Sequence, residues 1–316
     1  MDRSAVLTTK IRTAFAPRSL GAWPAPLEPQ PPLARALGLE ALWLKREDLA
    51  GGNKVRGLEF LFANVAPRSV FVTVGGSGSS HCLTTARCAR AQGHRTALAL
   101  FKQPATEATR AVGAAIIAEA HLVMCASSIA TLPWAVLRTW LAARRIGKGT
   151  PHWIPGGGAD PRAVLGHCLA ALELSAQLET PPDSIVVPLG TGGTAAGIAL
   201  GVAALGWSTR VIGVRVAPWI AANRWRTLRL ARRAAVLLER AGIERVPRSA
   251  IRVEVVNALG AGYGYPTPEG ERARRLACDH GLRLEPTYGA KAFSVYFQRE
   301  KCNLRRTVFW HTFAWP

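Results

Sequence analysis

The chain has 316 residues, of which 49% are hydrophobic and 19% charged. This composition excludes a disordered chain, a collagen-like repeat and a small disulfide scaffold, and the length suffices for one large core or two smaller ones. Lys and Arg outnumber Asp and Glu by 40 to 20, a formal net charge of +20. Such an excess of positive charge can favour the binding of nucleic acid through its phosphates. No run of five or more basic residues occurs, however, and a generally basic surface with no nucleic-acid partner is the favoured interpretation.

The six cysteines have no C-x-x-C spacing, so they indicate neither a zinc site nor a disulfide framework but a reducing compartment. The first residues lack the apolar segment of a signal peptide. The longest apolar run, residues 195–205, is too short to span a bilayer. We therefore expect a cytoplasmic protein with no membrane partner.

Short β-branched runs alternate with amphipathic windows from residue 41 onward, after a proline-rich stretch at 17–32 that we expect to form an irregular arm. The predicted strands are 41–45, 70–74, 96–101, 121–125, 151–154, 185–189, 210–216 and 252–256. The predicted helices include 81–92, 132–145, 162–178 and 226–241. This alternation predicts an α/β protein with parallel sheets covered by helices, and the number of strands suits two layers.

The most basic stretch is 224–240, RWRTLRLARRAAVLLER, whose apolar residues recur at helical spacing. A surface helix docked by its apolar stripe is the favoured interpretation. A face for nucleic acid or for a membrane stays open as the alternative.

Three glycine-rich turns each follow a predicted strand and precede a predicted helix, at 75–81, 155–161 and 190–197. Backbone amides at a helix N-terminus bind anions, and missing Cβ atoms allow close approach. In the middle turn, Asp160 is predicted as N-cap and Pro161 as the first helical residue. An unliganded tight turn explains any one of them equally well. A dinucleotide fingerprint at 190–197 is a minor option, because Arg215 stands where a ribose-binding acid is needed.

Lys54 lies in the sequence GGNKVR at 51–56, and only seven of the 40 basic residues are lysines. Lysine here looks selected over arginine. A desolvated lysine can lose its proton and act as an amine nucleophile, whereas arginine stays charged. Taken alone, the motif would fit an ordinary exposed lysine.

The segments around Lys54, LWLKREDL at 42–49 and GGNKVRGLEFL at 51–61, resemble the lysine segment of the 1-aminocyclopropane-1-carboxylate deaminase/D-cysteine desulfhydrase family. That family belongs to the tryptophan-synthase-β-like, fold type II pyridoxal-phosphate enzymes. The resemblance extends in the family's order over nearly the whole chain. Its further motifs are 75–81, IPGGGADP at 154–161, 190–197, GYGYP at 262–266, EPTYGAKA at 285–292 and VFWHT at 308–312.

The resemblance implies two open parallel-sheet domains with pyridoxal 5'-phosphate in the cleft between them. The large cofactor-binding domain would comprise residues 1–56 and 163–316, and the small domain residues 57–162. It further implies a small amino-acid substrate and a homodimer.

Specific site residues follow from the same resemblance. Lys54 would hold the cofactor covalently and shuttle the α-proton, and Asn53 occupies the motif's usual position beside it. Ser79 would lie near the substrate carboxylate or act as a nucleophile, and Tyr263 and Tyr288 would flank the substrate. Ser80 replaces the asparagine that usually bonds the ring hydroxyl of the cofactor. The phosphate would be cradled by Gly190, Thr191, Gly192, Gly193 and Thr194.

Gly289 helps to choose between activities, because deaminases of the family carry a glutamate there, near the pyridine nitrogen. Gly289 provides no such acid, and Thr312 stands where a bulky aliphatic residue would otherwise be. The resemblance therefore favours a D-cysteine desulfhydrase-like lyase that releases pyruvate, ammonia and sulfide. The alternatives are a 1-aminocyclopropane-1-carboxylate deaminase and a member with a degenerate cofactor site, since residues 313–316 replace a glycine pair. A basic nucleic-acid-binding protein is the non-enzyme alternative.

Overall fold

The computed structural model describes residues 2–147, 150–298 and 302–313, in which strands and helices alternate. The strands are β1 (Leu27–Pro29), β2 (Ala41–Arg46), β3 (Val70–Gly76), β4 (Arg95–Phe101), β5 (Leu122–Cys125), β6 (His152–Trp153), β7 (Ser184–Leu189), β8 (Arg210–Arg215), β9 (Glu254–Asn257) and β10 (Arg306–His311). The helices are α1 (Arg3–Phe15), α2 (Pro31–Leu37), α3 (Lys54–Leu61), α4 (Ser80–Ala91), α5 (Glu107–Glu119), α6 (Leu132–Ile146), α7 (Pro161–Ser175), α8 (Gly193–Leu205), α9 (Arg224–Arg240), α10 (Pro268–Asp279) and α11 (Gly289–Phe293).

Two sheets organise these elements. The larger has the order β1-β2-β10-β7-β8-β9 and the smaller the order β5-β4-β3-β6. Neighbouring strands are parallel except for β1, which pairs antiparallel with β2 at the edge of the large sheet. An edge tolerates Pro29, which has no amide hydrogen to donate. The predicted α/β class with two parallel sheets is confirmed.

The core of the large sheet lies around β7, which is buried along its whole length. The helix that follows it, α8, packs against α7, α9, β7 and β8, which explains why it is apolar on all sides. Glycine permits this close packing. A Cβ at Gly197 would lie 2.5 Å from the carbonyl oxygen of Val164 in α7. The N-terminus of α8 is thereby held firmly at the end of β7.

Several sequence predictions need adjustment. The stretch 17–32 is not wholly irregular, because it contains β1 and the start of α2, where two prolines occupy positions that need no amide hydrogen. The strand β10 and the helices α1, α3, α5 and α10 were absent from the predicted windows. Asp160 and Pro161 begin α7 as predicted, with Asp160 accepting a hydrogen bond from the amide of Arg162.

The basic helix α9 docks by its apolar stripe, as the sequence favoured, with Leu228, Ala234 and Leu238 buried. No helix in the described part of the chain is long and apolar enough to cross a membrane. The small sheet is built from residues 70–153. The domain boundaries at 56/57 and 162/163 stay a prediction.

Candidate active site

A cavity of about 240 Å³ lies where the carboxyl ends of the two sheets face each other. Its walls come from the turns that follow β3 and β7, from the start of α3 and from two tyrosines on the segments before α10 and α11. Every site residue predicted from the sequence lines it: Asn53, Lys54, Ser79, Ser80, Gly190, Thr191, Gly192, Gly193, Thr194, Tyr263 and Tyr288. The fold thus brings together residues up to 235 positions apart (288 − 53).

Lys54 is the first residue of α3 and follows a tight loop. Gly51 and Gly52 have φ of +85° and +96°, which side chains with a Cβ rarely adopt. The backbone amide of Asn53 donates to the carbonyl oxygen of Thr312 at 2.9 Å. Its side-chain amide donates to Thr194 Oγ1 at 2.7 Å. The lysine loop is therefore tied both to the end of β10 and to the start of α8.

The Lys54 amine is held in a largely apolar setting. Its Nζ donates to the carbonyl oxygen of Gly157 at 3.1 Å. Burial lowers its pKa from 10.5 to about 8. His81 lines the same cavity, and burial first, then the Lys54 charge, lowers the pKa of its imidazole to about 3. At neutral pH the amine faces an uncharged histidine, and its lowered pKa makes its proton easier to remove than that of an exposed lysine.

The low pKa of Lys54 has a cost in stability that can be measured on cofactor-free protein. Below pH 8 the folded state carries a charge that burial penalises, so Lys54→Met is expected to raise the free energy of unfolding by at most about 3 kcal/mol, less where cavity water screens the charge. This increase in the free energy of unfolding should be complete below pH 8. It should vanish as the pH rises toward 10.5, where the lysine of the unfolded parent protein also loses its proton. Urea unfolding across this range checks it. A constant difference at every pH would contradict it.

The start of α8 forms an anion-binding wall. Gly192 caps the helix with φ of +88° and no side-chain cap. The first helical hydrogen bond runs from the amide of Ala196 to the carbonyl of Gly192, so the amides of 193–195 precede it. The buried hydroxyl of Thr191 has no hydrogen-bond partner among the described residues. Together with the helix dipole, these donors suit a phosphate group.

Substituting Gly192 tests this wall. A Cβ there would lie 2.7 Å from Thr227 Oγ1, in a backbone conformation that costs a side chain roughly 1–2 kcal/mol. Gly192→Ala is therefore expected to weaken binding of pyridoxal 5'-phosphate, the cofactor that the sequence resemblance implies, by about tenfold or more in a titration. Gly206→Ala is the control, because Gly206 has φ of +71° and open space around it. Equal cofactor affinity in the two variants would show that the turn does not bind the anion.

The opposite wall is the start of α4. Ser79 is its N-cap and accepts a hydrogen bond from the amide of Cys82 at 3.3 Å. The side-chain oxygen of Gln103 accepts from the amide of Gly78 at 2.7 Å and braces the turn. Ser80 follows as the first helical residue. This second helix N-terminus suits a substrate carboxylate.

Tyr263 and Tyr288 are hydrogen-bonded to each other through their hydroxyls, with ring centroids 5.8 Å apart. Burial raises the pKa of Tyr263 to about 12 and that of Tyr288 well above 10, so both hydroxyls keep their protons. The carboxylate of Glu285 accepts from the backbone amides of Tyr288 and Gly289. Burial raises the pKa of Glu285 to about 7.

Part of the cavity wall was not among the residues predicted from the sequence. His81 and the Gly157 carbonyl stand beside Lys54, and their neighbouring glycine turns were the only signal. The apolar contributions of Phe101, Leu132 and Phe313 had no recognisable pattern. Gly289, the position expected near the pyridine nitrogen, is buried next to Glu285 and does not line the cavity. Residues 314–316, part of the altered terminus, lie outside the described residues.

Known proteins resemble this chain over most of its length. A family profile described as "Pyridoxal-phosphate dependent enzyme" matches residues 18–312. A protein of Pyrococcus horikoshii named putative 1-aminocyclopropane-1-carboxylate deaminase is 30% identical over 278 residues, covering 86% of this chain and 82% of that protein. Nocardicin C-9' epimerase of Nocardia uniformis subsp. tsuyamanensis is 34% identical over 283 residues, 85% of each chain.

Solved structures agree with these relatives. The crystal structure of a homologue of 1-aminocyclopropane-1-carboxylate deaminase superposes with a TM-score of 0.80 and 29% identity, covering 96% of this chain and 94% of that one. A processed threonine deaminase from Solanum lycopersicum has a TM-score of 0.66 at 18% identity, covering 98% and 89%. The latter likeness concerns the fold.

Proposed function

The chain belongs to the family of pyridoxal-phosphate-dependent enzymes, and from this premise we propose that it is a lyase performing β-elimination on a small amino acid. It is a fold type II enzyme related to 1-aminocyclopropane-1-carboxylate deaminase, and its cofactor is pyridoxal 5'-phosphate. The predicted family, fold, enzyme class and cofactor are thereby confirmed. The reaction, the site roles and the predicted homodimer are proposals.

The residues of the cavity fit the cofactor. The phosphate would lie at the start of α8, where the amides of 193–195 and the Thr191 hydroxyl, which has no hydrogen-bond partner among the described residues, could donate to it. The amine of Lys54, with its lowered pKa, would make the covalent attachment. Asn53 precedes α3 and Ser80 begins α4, on opposite sides of the cavity, and both would lie near the ring of the cofactor. When bound, the cofactor supplies an electron sink for the α-carbon.

The chain's own groups would then divide the work. The start of α4 with Ser79 would bind the substrate carboxylate. Lys54 would remove the α-proton, because its amine is uncharged often enough to accept one. The protonated hydroxyls of Tyr263 and Tyr288 would orient the substrate and protonate the leaving group.

The observation that carries the choice of reaction is the absence of acid from the cavity. None of the described residues that line it is Asp or Glu. Opening a cyclopropane ring without a β-leaving group demands a strong electron sink, which a carboxylate at the pyridine nitrogen promotes. Elimination of a thiol is less demanding, because the electrons leave with the sulfur. We therefore favour D-cysteine as substrate, with pyruvate, ammonia and sulfide as products.

Deamination of 1-aminocyclopropane-1-carboxylate is the second candidate. The printed names of two Pyrococcus relatives, 30% and 29% identical, favour it. Both reactions use the same lysine and the same phosphate site, so they differ only in what the cavity offers the β-carbon and the ring nitrogen.

A substrate panel distinguishes the two. Holoenzyme is incubated with D-cysteine, L-cysteine and 1-aminocyclopropane-1-carboxylate, and sulfide and ammonia are quantified. We expect sulfide and pyruvate in equal amounts from D-cysteine. Faster release of ammonia from the cyclopropane amino acid would overturn the elimination proposal in favour of the deaminase. Exchange of the α-proton in heavy water without any ammonia would favour an epimerase instead.

A further inference from the structure

A second cavity, of about 580 Å³, lies along α9, and its lining shares no residue with the active-site cavity. We call it the arginine groove. It is lined by Arg224, Trp225, Leu228, Arg229, Arg232, Arg233, Val236 and Arg248. All of its arginines are exposed, and none of its lining residues is acidic.

The charge of the arginine groove is not balanced by the protein. Among the described residues, no carboxylate forms an ion pair with a groove arginine. The acids nearest in sequence are engaged elsewhere: Glu239 with Arg245 at 3.4 Å, and Glu244 with Arg3 at 3.3 Å. Arg224 donates through Nε to the carbonyl oxygen of Val253 at 3.0 Å. The groove therefore presents to solvent guanidinium groups that have no carboxylate partner among the described residues.

The helix itself is disfavoured by this arrangement. Arg229 lies one turn from Arg232 and Arg233, and like charges at this spacing repel each other. The first turn of α9 contains Arg224 and Arg226 and no acid, which opposes the helix dipole. A bound polyanion would reduce both the repulsion between the arginines and their unfavourable interaction with the helix dipole.

An aromatic ring stands beside these charges. Trp225 is 66% exposed, and the guanidinium of Arg229 lies 5.2 Å from its ring centroid. An exposed indole next to arginine forks is the combination that stacks an unpaired base and holds its phosphates.

We propose that the arginine groove binds single-stranded nucleic acid, with its phosphates on the arginines and a base stacked on Trp225. A single strand of nucleic acid can enter a concave groove, whereas a flat lipid surface cannot. The apolar face of α9 is also buried in the protein and so does not insert into a bilayer. Paired bases would not reach Trp225, and the groove therefore prefers single strands to duplex.

The salt dependence of binding tests the phosphate contacts. A fluorescent oligothymidine is titrated with holoenzyme between about 50 and about 200 mM salt. Five arginines predict a slope of log K against log salt near −3.5 for a single strand, at about 0.7 per phosphate. Arg229→Ser with Arg233→Ser should flatten it by about 1.4. Arg240→Ser with Arg275→Ser removes the same charge from exposed positions outside the groove and should leave the slope nearly unchanged.

The stacking contact has its own matched pair. Trp225→Ala should weaken binding by roughly 5- to 150-fold, whereas Trp134→Ala, at a residue 63% exposed on α6, should not. Equal loss in the two arginine pairs, equal binding of duplex, or binding to phosphatidylserine vesicles but not to the oligonucleotide would each overturn the proposal. All four variants change exposed side chains, so a circular-dichroism spectrum like the parent's is expected.

Discussion

Replacing Lys54 with alanine is expected to lower turnover by roughly 10²–10⁴-fold or more and to abolish covalent attachment of the cofactor. The reason is geometric as well as chemical. Lys54 stands at the start of α3, in the cavity that the glycine-rich turn at 190–194 also lines, and burial lowers the pKa of its amine to about 8. Lys54→Arg should fail equally, because a guanidinium stays charged and is not an amine nucleophile.

Borohydride reduction followed by peptide mass analysis measures the attachment. Parent protein loaded with pyridoxal phosphate should show the cofactor on the peptide that contains Lys54, and its visible absorbance band should be missing from both variants. Lys102→Arg, at an exposed lysine, serves as the control. Lys291 is the competing amine, because burial also lowers its pKa to about 8. Attachment at Lys291, or an unchanged band in Lys54→Ala, would refute the assignment of the site.

The largest loss of stability is expected at Arg56, two residues beyond Lys54. Its guanidinium is 2% exposed and lies 2.8 Å from a Glu47 oxygen and 3.0 Å from a Glu173 oxygen. Glu173 also pairs with the buried Lys45. Arg56→Leu removes the cation and leaves the buried carboxylate of Glu47 without its ion pair, while Glu173 keeps Lys45. The loss should cost about 3–5 kcal/mol.

Urea unfolding of cofactor-free protein gives this value directly. Arg274→Leu is the matched control, because Arg274 pairs with Glu271 on a half-exposed helix face and its loss should cost about 0.5 kcal/mol or less. Similar losses in the two variants would mean that the buried network contributes no more than a surface pair.

This network joins three elements that position the reactive amine. Arg56 lies on α3, Lys45 on β2 and Glu173 on α7. A Cβ at Gly57 would lie 3.0 Å from that of Ala163, so α3 and α7 pack closely as well. We expect the network to fix the direction of α3 and hence of Lys54.

Periodicity predicted the strands of the fold well, for a physical reason. A strand such as β7 is buried on both faces, so its sequence is a short run rich in β-branched residues. Such a run is too short for a typical helix. The order of the strands was beyond such reasoning. The pairing of β10 with both β2 and β7 depends on contacts between residues far apart in sequence. The short helix α3 was hidden because its polar residues, Arg56 and Glu59, are buried.

The site residues that belong to local sequence motifs could be predicted. Lysine in an arginine-rich chain and glycine turns before helices are visible in the sequence, and the structure puts them around one cavity. His81 is different. Its role as an uncharged neighbour of Lys54 results from burial, which the sequence alone does not report.

The central position of β10 bears on how the chain is made. During synthesis β2 and β7 emerge long before residues 306–311, and until then the facing edges of both strands lack their partner. Unpaired edges attract other strands, including those of neighbouring nascent chains. The large sheet can close only after β10 has left the ribosome, so this protein should depend on chaperones during translation more than one whose sheet is completed in order.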